Sequence, residues 1–311
     1  MQDIALIIST TLMYSTPLIF AALGGVFSEN SGIVNIGIEG MMTIGAFAGA
    51  AAGYMLGNPW LAFIIGGLAG GLFALVHALA TVTFNADHTI SGVAINLLAP
   101  GVALFASKIM FWWCNYDTNN TNGTKNTKTI KWFIPIGKYI RYNIQCICYS
   151  FIAFILVAVT WYVLYKTKFG LRIRAVGEHP GAADTLGISV AKTRYAAVII
   201  SGILAGLGGA SMSLAVVSSF RPTLISGHGY IAMAAVIFGK WRPQWAMAAC
   251  LLFGFSTALS VYFGNPELPF SINENLLSMI PYIMTLIVLV LFVKSSKAPA
   301  ALGNPYKKGE R

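Results

Sequence analysis

Residues 60–84 read WLAFIIGGLAGGLFALVHALATVTF, without one Asp, Glu, Lys or Arg. A helix needs about 20 mostly apolar residues to cross the hydrocarbon core of a bilayer. This stretch is long enough to cross and too apolar for the surface of a soluble domain. Working outward, comparable stretches occur at 4–26, 33–56, 90–107, 150–165, 195–217, 228–239, 243–263 and 276–293, giving nine candidate passes. The segment 228–239 is short, as a broken helix is allowed to be where protein shields it or where it lines a cavity. The composition agrees: 57% of the 311 residues are hydrophobic and 10% charged, against roughly 25% charged in an ordinary soluble domain. The expected fold is an all-α polytopic membrane protein, one transmembrane domain over residues 1–311. Disordered, fibrous, nucleic-acid-binding and disulfide-rich secreted classes are excluded together. Met1-Gln2-Asp3 places no basic run before the first apolar stretch, so that stretch reads as a helix rather than a secretory signal.

The net charge of +10 reads as topology information. Lys and Arg concentrate in cytoplasmic loops. The loop 166–194 holds Lys166, Lys168, Arg172, Arg174, Lys192 and Arg194; the link after 228–239 holds Lys240 and Arg242; the tail holds Lys294, Lys297, Lys307, Lys308 and Arg311. Four passes between residue 195 and the tail put these regions on one face, the cytoplasmic one. The N-terminus then falls outside and the C-terminus inside. The loop 264–275, with Glu267 and Glu274 and no basic residue, falls outside. Residues 108–149 fall outside too, despite Lys108, Lys125, Lys128, Lys131, Lys138 and Arg141; long loops obey the charge rule weakly. Within them 115–129 is polar, and 131–149 is apolar with scattered basic residues, as if resting on the lipid interface.

Chemistry is sparse. Cys114, Cys146, Cys148 and Cys250 have no metal-site spacing; Cys114 pairs with Cys146 or Cys148 if that region faces an oxidising compartment, and otherwise the thiols are free. There is no phosphate-cradling Gly-x-x-x-x-Gly-Lys-[Ser/Thr], no His-Glu-x-x-His and no carboxylate pair. His77, His88, His179 and His228 are scattered. No cofactor, metal or catalytic residue is expected, and the chain has no means of spending ATP by itself. Gly45/Gly49/Gly53, Gly66/Gly70, Gly67/Gly71 and Gly202/Gly206 form small-residue ridges at four-residue spacing, which let helices approach closely in lipid. Gly24-Gly25 followed by Ser31-Gly32, and Gly208-Gly209 followed by Ser226-Gly227, hint at an inverted repeat.

Ionisable and amide groups at membrane depth are costly, so each is a candidate. Asn35 and Glu39 are four residues apart and share a face if helical; they meet substrate or cap a helix near the interface. Asn96 lies mid-pass and either faces the pathway or bonds a neighbouring helix. Arg221 and His228 bracket the short segment, where irregular backbone must line a polar cavity or lie at the surface. His77 reads as a packing histidine, and Trp60, Trp112, Trp113 and Trp241 as interfacial anchors.

In the loop 166–194, Pro180 at a helix start and Gly187 at its stop predict a short helix, with Glu178 just ahead suiting its positive end. Such a capped helix between basic flanks suits either a partner's groove or an ordinary interfacial loop.

Residues 22–42, ALGGVFSENSGIVNIGIEGMM, resemble the N-terminal signature of permease subunits of bacterial ABC importers, in the group that includes the ribose and branched-chain amino-acid permeases. The Asn-Ile-Gly-x-Glu-Gly-Met-Met form at 35–42 is similar to the simple-sugar/nucleoside branch. Ala175–Ala183 followed by Leu186-Gly187-Ile188 is similar to the family's coupling segment, and Gly206–Gly209 and Gly227–Ala232 continue the likeness. It spans about 20 to 295; the departure is 108–149, which is longer and richer in Asn and Lys. The resemblance implies a fold like that of the vitamin-B12-type importer permeases. It also implies two ATPase domains docked under the coupling helices, and a second permease, either related or a copy of this chain. An extracytoplasmic binding lipoprotein would deliver the substrate. Glu178, His179, Pro180, Gly181, Ala182, Ala183, Asp184 and Gly187 would carry the ATPase contact, and Asn35, Glu39, Asn96, Arg221 and His228 the substrate pathway. A small neutral polar solute fits so uncharged a pathway, and the 35–42 form favours a nucleoside over a monosaccharide. The competing class is a stand-alone secondary transporter with Glu39 as its ion-coupling carboxylate; a membrane enzyme lacks its catalytic constellation.

Overall fold

A computed structural model describes residues 2–112, 130–131, 138–264, 274–277, 279–292 and 297–306. Among them, α1 (Gln2–Asn30), α2 (Ile38–Leu56), α3 (Pro59–Ala78, continued by a π-turn Leu79–Thr83) and α4 (His88–Trp112) form the first half. Then come α5 (Lys138–Lys166), the short α6 (Lys168–Glu178) and α7 (Pro180–Thr185), and α8 (Val190–Ser211), which a π-turn Met212–Val216 extends. After them follow α9 (His228–Phe238), α10 (Pro243–Phe263), α11 (Glu274–Leu277) and α12 (Ile280–Phe292). Ile130–Lys131 and Ser219–Phe220 form a two-residue antiparallel bridge, Ile130 opposite Phe220.

Among the described residues, six helices are long and apolar enough to cross a membrane: Asp3–Asn30, Pro59–Thr83, His88–Met110, Ile147–Lys166, Val190–Val216 and Pro243–Phe263. The other three expected passes correspond to the 19-residue α2, the 11-residue α9 and the 13-residue α12. Two boundaries differ from the expected ones. Residues 33–37 are not helical, because the chain turns at Gly32, with φ +91°, before α2 begins. Residues 138–149, expected to rest on the interface, are the first turns of α5. Most of the remaining 108–149 stretch, Cys114 with it, lies outside the described residues; Cys148 and Cys250 carry free thiols.

Local chemistry sets the starts. Asn58 accepts from the amides of Trp60 and Leu61 ahead of Pro59 at the first position of α3, and Pro243 opens α10 in the same way. The core mixes large side chains such as Phe20, Met41 and Phe253 with many alanines, while other large apolar residues face out: Leu72, Leu97 and Val290 are 68%, 76% and 80% exposed. That arrangement is unfavourable in water and suits lipid.

The glycine ridges meet one another where α2, α3 and α8 pack. A β-carbon on Gly45 would run into the Gly206 carbonyl, and one on Gly209 into that of Met42. With no apolar solvent contrast to drive helices together in lipid, such close backbone approach supplies the dispersion contacts that hold them.

Candidate functional site

The chain enters the bundle interior twice as something other than a continuous helix. Residues 31–37 climb as turns before α2, and residues 217–227 run irregularly before α9. The first residues of α2 and α9 meet. Glu39, in the first turn of α2, accepts hydrogen bonds from the Gly227 and Gly229 amides, each at 2.7 Å. These are the cap and second residue of α9. A helix start carries unpaired N–H groups and partial positive charge. One carboxylate therefore satisfies α9 directly while lying within the positive end of its own helix. Gly229 has no alternative here, because a β-carbon would fall 2.7 Å from the Glu39 Cα and Oε2.

Asn96 of α4 completes the junction. Its Oδ1 accepts from the Gly40 amide at 2.8 Å, and its Nδ2 donates to the Ile36 carbonyl and the Tyr230 hydroxyl, both at 2.9 Å. Asn96 thus ties α4 to the start of α2 and to α9. Tyr230 is 49% exposed, so its ring reaches beyond the junction while its hydroxyl is fixed. His228 sits two residues earlier, half-buried, its Nδ1 against the Ile225 carbonyl. Arg221 is exposed at the other end of the irregular segment, beside the bridge at Ser219–Phe220.

Asn35 and Glu39 do not share a face. Residues 33–36 are not helical, and Asn35 is fully buried, its Nδ2 donating to Ser201 of α8 at 2.9 Å while its Oδ1 has no partner. His77 is the packing group the sequence suggests, bonded to Ser91 Oγ at 2.9 Å and the Val34 carbonyl at 3.2 Å. Asn35, Glu39, Asn96 and His228 thus gather around one re-entrant junction. Ser201 and Tyr230 belong to it although the sequence did not single out either one; the Gly227-His228-Gly229-Tyr230 stretch was the available signal for Tyr230.

At one end of the bundle a second cluster forms. Glu29 of α1 is buried and accepts from the Trp241 indole N–H, and Asn30 donates to the Trp241 carbonyl at 3.1 Å. Trp241 is 7% exposed; it is a buried tie rather than an interfacial anchor, because the left-handed Lys240-Trp241 turn folds the indole inward. Arg194, placed in the basic loop by sequence, belongs to α8 and is 2% exposed, its Nε donating to the Ser31 carbonyl at 3.3 Å.

The short helix between α6 and α8 forms as Pro180–Thr185. His179 is its cap residue, Pro180 its first position, and Gly187, at φ +79°, its stop. Gly181, Ala182, Leu186 and Gly187 are exposed, with Leu186 at 80%. Ala183 is buried against Val176 and Val190, and Asp184 is half-buried. Glu178 does not serve the helix start; its carboxylate accepts from the Ala300 amide at 3.3 Å. Asp87, before α4, is held below the usual carboxylate range chiefly by the Ile90 amide that it caps. Among the described residues no group of His, Cys, Asp and Glu is placed to hold a metal ion.

A short exposed helix lies at one end, and a polar junction of two helix starts lies inside the bundle. Comparison with known proteins assigns the family. Residues 7–289 match the model of the branched-chain amino acid transport system / permease component family. The chain is similar to the nucleoside ABC transporter permease protein NupC of Lactococcus lactis subsp. cremoris, 44% identical over 316 residues, 99% of each chain. It is equally similar to the guanosine ABC transporter permease protein NupQ of Bacillus subtilis, 44% identical over 317 residues, 100% of this chain and 99% of the relative. A putative glucose ABC transporter permease protein, TsgC13 of Haloferax volcanii, is 32% identical over 97% of each chain. With the match covering nearly its whole length, this chain belongs to the branched-chain amino acid transport system permease family.

Proposed function

We propose that the chain is the permease subunit of an ATP-driven ABC importer that carries nucleosides across the cytoplasmic membrane. The 44% identity, end to end, to a nucleoside and a guanosine permease carries this reading. In it the N-terminus lies outside and the C-terminus in the cytoplasm, nine passes cross, and the fold is that of the vitamin-B12-type importer permeases. Residues 108–149 face outward, and a binding lipoprotein delivers the solute from that side. The exposed face of Pro180–Thr185, with Glu178, His179 and Gly187 at its ends, meets the ATPases. Ala183 anchors that helix against Val176 and Val190, and Asp184 belongs to the same contact helix. A second permease, related or identical, completes the pathway.

Glu39, Asn96, His228 and Arg221 border the path of the solute, and Asn35 braces it from behind. The junction offers amides, hydroxyls and one phenol ring, with its one carboxylate already bonded to backbone amides, which suits a neutral polar heterocycle on a sugar. Glu39 is a poor ion-coupling group, since both of its oxygens are already bonded to backbone amides; this disfavours a stand-alone secondary transporter. The glucose permease relative supports a monosaccharide as the second reading. Competition uptake in cells expressing the whole transporter separates the two: labelled guanosine should be displaced by other nucleosides and not by excess glucose. Displacement by glucose alone would transfer the assignment to sugars.

A further inference from the structure

The tail after α12 does not trail away. Residues 299–306 lie across the end of the bundle, bonding three separate parts of the chain and packing on a fourth. The Ala300 amide reaches the Glu178 carboxylate at 3.3 Å and the Ala301 amide the Gly177 carbonyl at 2.9 Å, both at the end of α6. The Gly303 amide donates to the Gly32 carbonyl at 3.0 Å, in the turn between α1 and α2. The Asn304 carbonyl accepts from Arg194 of α8 at 3.4 Å. The Tyr306 ring packs with Val176, Ala183 and Val190, beside Asp184 of α7.

The fit is close and needs unusual backbone. Gly32 and Gly303 are both left-handed, at φ +91° and +81°, and a β-carbon on Gly32 would sit 3.0 Å from the Arg194 guanidinium and 3.1 Å from the Ala301 carbonyl. Ala301 is buried at 6% exposure and Leu302 packs on the main core. Arg194 explains part of this arrangement. Its described bonds are to the Ser31 and Asn304 carbonyls, so a buried cation is solvated by the turn on one side and the tail on the other.

We propose that residues 299–306 are a strap that makes α7 and the α1–α2 turn move as one body, with Tyr306 and Gly303 as its positioning residues. The turn leads within a few residues to Asn35 and Glu39. A displacement of α7 therefore reaches the junction through Ala183, Tyr306, Gly303 and Gly32, as well as along α8. This rests on the reading of α7 as the ATPase contact, but the strap itself can be tested without it.

The test uses the full chain with two variants, Tyr306→Ala and Gly303→Val. The first removes the ring that packs on Ala183; the second forces a β-branched residue into a left-handed position. Backbone amide exchange at 182–188, measured by mass spectrometry on the purified chain, is expected to quicken severalfold in both. In the assembled transporter, uptake per ATP hydrolysed should fall severalfold while the complex still assembles and its ATPase still turns over. Unchanged exchange in both variants overturns the strap, and so does quickened exchange with wild-type uptake per ATP. If the wild-type complex carries no nucleoside yet its ATPase is stimulated by another solute, the substrate reading fails, and the same exchange and coupling measurements still decide the strap.

Discussion

At the scale of single residues, the account turns on Glu39. An acid at membrane depth demands a partner, and here the partners are the Gly227 and Gly229 amides at the start of α9. Hydrogen bonds to a charged group contribute about 1.5–3 kcal/mol. Glu39→Gln keeps the shape but turns an NH2 group toward an N–H donor. It should destabilise the solubilised chain by about 2 kcal/mol and lower uptake while leaving docking of the binding protein intact. Thermal unfolding in detergent together with uptake in vesicles checks both expectations; a variant with wild-type stability would remove the cap role. The sequence marked Glu39 as important because its charge is expensive in that setting. It did not reveal the partner, because Gly227 lies 188 positions away and amide donors look alike in a sequence. Asn35 was misplaced for a different reason: a helical period was assumed across residues whose left-handed Gly32 turn breaks it. Arg194 and Trp241 were read from their type as a loop charge and an interfacial ring, yet tertiary contacts bury both.

At the scale of elements, apolar length and small-residue spacing were the legible features. Stretches such as 60–84 and 243–263 had to be helices, since lipid leaves the backbone no other way to satisfy itself in a single segment. The start and stop of Pro180–Thr185 were also readable, because Pro fixes the first turn and Gly accepts the left-handed exit. Spacing identified the ridges but not which ridge meets which. That Gly45 faces Gly206, and Gly70 faces Gly202, follows from how α2 and α3 lean on α8. Substitution separates these packed glycines from free ones. Gly206→Val should drive α8 off α2 and α3 at a cost of about 3 kcal/mol or more, seen as loss of a monodisperse species in detergent. Gly101→Ala, where no heavy atom lies within 4 Å of the new carbon, should stay folded. Equal behaviour of the two variants would mean that the three-helix contact does not hold the bundle together.

At the scale of the whole molecule, the chain has an oily exterior, glycine ridges where α2, α3 and α8 pack, and a polar junction where α2 and the short α9 begin. Membership of an ABC transporter permease family implies separate ATPase subunits as the source of energy. Class and family were visible in the residues because lipid imposes a strict composition and because 22–42 and 175–188 form compact signatures. Residues 108–149 resisted reading because their apolar and basic residues are mixed without a period. The most direct test of the division of labour is guanosine uptake into proteoliposomes with binding protein and ATP present. Four preparations are compared: the permease subunits alone, with their ATPase, with an ATPase unable to hydrolyse ATP, and with the active ATPase and the Gly181→Trp permease. The account predicts uptake only with the active ATPase and the unaltered permease, and ATP hydrolysis without uptake in the last preparation. Uptake by the permease subunits alone, driven by an ion gradient, would contradict it.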